Sequence, residues 1–79
     1  MSDRVVMYSR VGCHLCAEAR GVVQEVCGRQ GVSFTEVDVD ADAELKERYG
    51  DEVPVVTVDG AVVGFWRIDP TVLAHALES

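Results

Sequence analysis

Tyr8-Ser9-Arg10-Val11-Gly12-Cys13-His14-Leu15-Cys16 is the stretch on which the reading of this 79-residue chain turns. Immediately before it, and overlapping its first residue, Val5-Val6-Met7-Tyr8 forms a continuous apolar run. Such a run is expected of a strand buried on both faces. Ser9 to Gly12 breaks the run. From His14 to about Gly28 the apolar residues fall at Leu15, Ala19, Val22, Val23 and Val26, which is helical spacing. The two cysteines therefore lie where a strand hands over to a helix. Gly21 weakens that helix by about 1 kcal/mol relative to alanine. Gly28 and Gly31 supply its stop signal.

Working outward, Val32-Ser33-Phe34 begins a second strand that runs through Val37 and Val39. Asp40 is expected to cap a short acidic helix through Leu45 and Tyr49, ended by Gly50. Val53-Pro54 opens the third strand, because a proline inside a ladder would cost a hydrogen bond. Val55-Val56-Thr57-Val58 and Ala61-Val62-Val63 flank Asp59-Gly60. That dipeptide is a strong hairpin signal, since a type I′ turn needs positive φ at both central residues. Asp69-Pro70 reads as an N-cap with proline at the first helical position, and Val72, Leu73, Ala76 and Leu77 are expected to be buried by the closing helix. The order βαβ-α-ββ-α predicts one α/β domain over residues 1–79, a four-stranded mixed sheet with three helices. This is the minimal thioredoxin fold.

Composition narrows the function. Seven basic residues stand against fourteen acidic ones, a formal net charge of −7. That balance repels phosphate backbones and anionic lipid, so neither nucleic acid nor membrane is an expected partner. The acid concentrated between Glu36 and Glu52 is read as a solvated helix and its flanks. No charged-then-apolar leader opens the sequence, and no run approaches the roughly 20 apolar residues of a membrane span. The expected location is the cytoplasm. Three cysteines do not make a secreted disulfide framework, and in a reducing compartment a close pair points to catalysis or metal binding.

A cysteine at a helix start faces unpaired backbone N–H groups and the positive end of the helix dipole. Both favour thiolate, so Cys13 is expected to have a pKa below the ordinary value of about 8.5. Cys16, one turn on and more shielded, suits the resolving role: Cys13 attacks a disulfide and Cys16 attacks the resulting mixed disulfide. The competing chemistry is metal. Zinc asks for four ligands, and beyond the pair only Cys27, His14 and His75 remain. Cys27 lies about 16 Å along the helix axis from Cys16 and cannot reach a metal at the helix start. It reads as a small buried hydrophobe. A metal or iron–sulfur cluster shared between two chains stays open as the alternative function. His14 has two readings, donation to the Cys13 sulfur or projection into solvent. Arg10 is a candidate for lending positive field to the thiolate. Phe65 and Trp66 also have two readings, the wall of a substrate groove or core packing. His75 reads as a solvated or partly packed residue of the last helix.

At these residues the sequence resembles the glutaredoxin-like branch of the thioredoxin superfamily over nearly the whole chain. The resemblance rests on Tyr8 to Cys16, Val53-Pro54-Val55, Val58-Asp59-Gly60 and Val63-Gly64. It implies a cis Val53-Pro54 bond facing the cysteines, with Val53 offering backbone groups to a bound peptide or glutathione. It implies a thiol–disulfide oxidoreductase with substrate contacts at Arg10, Gly12, His14, Val53, Pro54, Gly64, Phe65 and Asp69. Glutathione-using members carry two glycines and then an aspartate after the hairpin. Here Phe65 replaces the second glycine and the acid is displaced by one position to Asp69. Gly64-Phe65 followed by Arg67 is closer to redoxins reduced by thioredoxin reductase. Protein or small-molecule disulfides are the expected substrates of a monomer with no tightly bound cofactor and no metal. Glutathione, as co-substrate, and thioredoxin reductase both stand as the reductant.

Overall fold

The paired sheet begins from β1 (Val5–Ser9), whose residues alternate between fully and half-buried positions. A computed structural model of the chain describes residues 3–78. After β1 come α1 (His14–Gln30), β2 (Phe34–Asp38), a single 3-10 turn (Val39–Ala41), α2 (Ala43–Tyr49), β3 (Val55–Val58), β4 (Ala61–Phe65) and α3 (Pro70–Leu77). The strands pair in the order β2-β1-β3-β4. β1 and β2 run parallel, and the other two pairings are antiparallel. This is the mixed four-stranded sheet with three helices expected from the sequence, and it is a minimal thioredoxin fold.

Register explains which side chains meet. Val5 lies opposite Val58 and Met7 opposite Val56, so these four share one face. Ala19, Val23, Val26 and Cys27 of α1 cover that face, with Leu73 and Leu77 of α3 beside them. Each fully buried valine there contributes on the order of 1.5–3 kcal/mol of transfer free energy. On the opposite face Tyr8 stacks on Tyr49 with ring centroids 4.8 Å apart, which seats α2 against the sheet. α2 buries no residue fully. β3 is buried at all four positions and is the strand covered on both faces; β1 is fully buried on one face only.

Several local expectations change, β2 among them, which starts at Phe34 rather than Val32 and ends at Asp38, before Val39. Asp40 does not cap α2. Val39 turns inward and is fully buried, the chain makes a 3-10 turn, and the cap moves to Asp42, whose Oδ1 accepts the N–H groups of Glu44 and Leu45. α1 continues past Gly28 to Gln30 and ends at Gly31, which takes the left-handed conformation at φ 69°. β4 continues past Val63 to Phe65. Val72 is exposed, because starting α3 at Pro70 turns Leu73 and Leu77, four residues apart, toward the sheet. The hairpin is as expected: Asp59 and Gly60 have φ of 53° and 86°.

Candidate active site

The site grows out of the carboxyl end of β1. Gly12 has φ 78°, a backbone state that suits glycine, and it turns the chain from the strand toward α1. The Cys13 N–H returns to the Arg10 carbonyl at 3.4 Å. Cys13 itself is extended and is the N-cap of α1. Its Sγ accepts the Cys16 N–H at 3.1 Å, and its carbonyl accepts the Ala17 N–H at 3.2 Å. A sulfur thus stands where serine or aspartate usually caps a helix, at the positive end of the dipole. Cys13 and Cys16 are joined by a disulfide with Cα atoms 5.2 Å apart, inside the ordinary range. Cys16 is fully buried and Cys13 half-buried, so Cys13 is the more accessible of the two.

The other sequence candidates fall around this pair. His14 is exposed at the first helical position, and the N–H on the Cys13 sulfur comes from Cys16. Arg10 turns away into a clamp. Its Nε and Nη2 hold Asp40 at about 3 Å, and its Nη1 donates to the Gly50 carbonyl at 3.2 Å. Arg10 thereby ties the loop before Cys13 to both ends of the α2 region. Its hydrogen bonds hold the Asp40 carboxyl below the usual range, and that carboxylate faces the Arg10 charge directly. This role of Asp40 was not legible, because the sequence offered it only as a cap.

Val53-Pro54 is a cis peptide, and Pro54 is buried. The Pro54 carbonyl accepts the Trp66 N–H at 2.9 Å, and the Trp66 indole N–H reaches the Asp51 carbonyl at 3.3 Å. Trp66 has φ 61°, in the left-handed region, so its ring is carried out of the β4 line. Phe65 packs edge-on against it at 5.1 Å. The core reading of these two rings does not hold: Phe65 is 46% exposed and Trp66 53% exposed. With Leu15 and Arg67 they line an open groove of about 520 Å³. Leu15 immediately precedes Cys16 at the start of α1, so one wall of the groove comes from the cysteine segment itself. Gly64 lies in β4 opposite Val56, and a Cβ there would meet Ile68 at 3.4 Å. Asp69 caps α3 through its Oδ1, taking the Thr71 N–H at 2.8 Å and the Val72 N–H at 3.4 Å.

Cys27, at the far end of α1, is 2% exposed, and burial first, then the Asp3 carboxylate, pushes its thiol pKa up. Among the described residues no three His, Cys, Asp or Glu side chains converge as metal ligands. Among them, too, no helix is long and apolar enough to cross a membrane.

Comparison with known proteins agrees with this arrangement. An uncharacterized protein of Mycobacterium tuberculosis is 30% identical over 71 residues, covering 84% of this chain and 73% of that protein. An X-ray structure of a structural-genomics target from X. campestris superposes with a TM-score of 0.76 at 30% identity, covering 94% of this chain and 95% of that one. The solution structure of a glutaredoxin from Brucella melitensis matches with a TM-score of 0.58 at 34% identity, covering 99% and 79%. Fold and cysteine pair together mark a thiol redox protein of the oxidoreductase type. Residues 4–78 match the family described as Glutaredoxin-like domain (DUF836), and the chain belongs to that family.

Proposed function

We propose that the protein is a dithiol disulfide reductase of the cytoplasm that cycles between the Cys13–Cys16 disulfide and the free dithiol. In the reduced protein the Cys13 thiolate attacks one sulfur of a substrate disulfide, RS–SR′. The Cys13–SR bond forms, the RS–SR′ bond breaks, and R′S⁻ leaves to take a proton from solvent. Cys16 then loses its proton and attacks the Cys13 sulfur. The Cys13–Cys16 bond forms and RS⁻ is released. Two electrons have passed to the substrate, and a thiol such as glutathione or a flavin-dependent reductase returns them.

The observation that supports this reading most is the Cys13 sulfur at the α1 N-cap, accepting the Cys16 N–H at 3.1 Å while bonded to the Cys16 sulfur. The N–H and the helix dipole stabilise negative charge on that sulfur, which favours thiolate as attacking group and as leaving group. The shielded Cys16 sulfur, one turn on, is within bonding reach of the Cys13 sulfur that it attacks in the resolving step. The test is a single turnover with the pre-reduced protein and a small neutral disulfide. Loss of the thiols at 13 and 16, matched by two new thiols on the substrate, is the expected result. No substrate reduction, or oxidation without matching substrate thiols, overturns the reading.

A further inference from the structure

The groove that Leu15, the residue before Cys16, helps to line is mainly apolar and carries no uncompensated cation. Its wall is Leu15, Phe65 and Trp66, and its one basic side chain, Arg67, stands 3.8 Å from Glu18. The same holds for the whole molecule: each of the seven Lys and Arg side chains lies within 4.0 Å of a carboxylate, and acids outnumber bases fourteen to seven. Beside the groove, Glu18 lines the adjoining hollow on the α1 side, and the backbone carbonyl of Asp51 holds the Trp66 indole. Both rings are about half exposed, far more than core packing would leave, and both face the mouth of the groove.

Resting on the dithiol reading, we infer that this groove selects a polypeptide disulfide whose cysteine is flanked by a large apolar residue and by basic residues, and that it disfavours glutathione disulfide. An apolar side chain entering between Leu15, Phe65 and Trp66 removes exposed apolar surface on both partners. Basic flanks are drawn to a chain whose formal net charge is −7, which raises the encounter rate. Glutathione disulfide offers the opposite chemistry, several carboxylates and no large apolar group. The groove gives those carboxylates no cation that is not already matched by Glu18.

The test measures single-turnover rates of the pre-reduced protein with four disulfides at low salt: a small neutral one, glutathione disulfide, a peptide disulfide with leucine beside cysteine and lysine flanks, and that peptide with alanine and glutamate instead. The leucine–lysine peptide should react about tenfold or more faster than either glutathione disulfide or the alanine–glutamate peptide, the scale set by desolvating a leucine-sized side chain. Its advantage should shrink as salt is raised. Phe65→Ala should lower the ratio of the peptide rate to the small-disulfide rate by roughly tenfold, the same burial scale. Val72→Ala, an equally exposed apolar side chain on α3, should leave that ratio unchanged. Equal or faster reaction of glutathione disulfide, or a ratio unmoved by Phe65→Ala, overturns the assignment of the groove while the dithiol reading stands. No reaction with any of the four, the small neutral disulfide included, overturns both.

Discussion

Helix α1 carries all three cysteines, and its two ends treat them in opposite ways. At the amino end Cys13 takes the cap position and offers its sulfur to a backbone N–H, with solvent on one side. Near the carboxyl end Cys27 is sealed against the sheet at 2% exposure, and burial holds it as a neutral thiol. The residue is the same at both ends. Position along one helix decides whether it is a redox group or a small piece of the core, because the dipole and the free N–H groups are confined to the first turn.

The largest effect expected from breaking this contrast is at Cys13. Cys13→Ser should lower disulfide reduction by about a thousandfold or more, since a serine hydroxyl at neutral pH cannot replace the attacking thiolate. Cys16→Ser should instead accumulate the Cys13 mixed disulfide, visible by mass spectrometry as a substrate adduct. The next effect is in alkylation: in the reduced protein Cys27 should react with iodoacetamide on the order of a hundredfold more slowly than Cys13, and denaturant should abolish the gap. Rapid Cys27 labelling in the native protein would remove the contrast. Cys27→Ser should then cost roughly 1–3 kcal/mol of stability by denaturant melt, the cost of burying a hydroxyl without a designed partner. It should leave the midpoint potential of the Cys13–Cys16 pair unmoved.

The smallest effect concerns how the cysteine half of the helix is moored. Arg20 of α1 donates to both Glu36 oxygens at 2.7 Å, and Ser9 donates to Oε2 at the same distance. The Arg20 hydrogen bonds, ahead of the opposing desolvation, hold the Glu36 carboxyl below its ordinary value. The unfolded chain therefore binds its proton first as pH falls. The stabilisation is complete above the unfolded carboxylate value of about 4.3 and is lost as pH drops through the lower folded value. Both groups are partly exposed, so the step should be about 1 kcal/mol or less. Arg20→Met should flatten it in melts taken between pH 5 and pH 3.

How much of this was legible depends on how local the cause is. The strand-to-helix handover at Cys13, the Asp59-Gly60 turn and the Asp69-Pro70 cap each follow from short-range backbone chemistry, and each appears where the sequence indicated. The stretch Asp38-Val39-Asp40-Ala41-Asp42 was ambiguous, because three aspartates in alternation can all cap. Burial of Val39, a tertiary event, chose Asp42 for the helix and left Asp40 to Arg10. The groove was half legible. Phe65 and Trp66 stood out as aromatic, but nothing near them announces a tryptophan at positive φ. That conformation is held from a distance, by the Pro54 and Asp51 carbonyls.

The central claim is that Cys13 and Cys16 form a working couple, and a redox titration of the metal-free protein with thiol trapping and mass spectrometry tests it most directly. The account predicts one reversible two-electron transition with a midpoint between roughly −270 and −180 mV, located to Cys13–Cys16, with Cys27 reduced throughout. A pair that does not oxidise reversibly, or thiols that become protected only when metal is supplied, would contradict it.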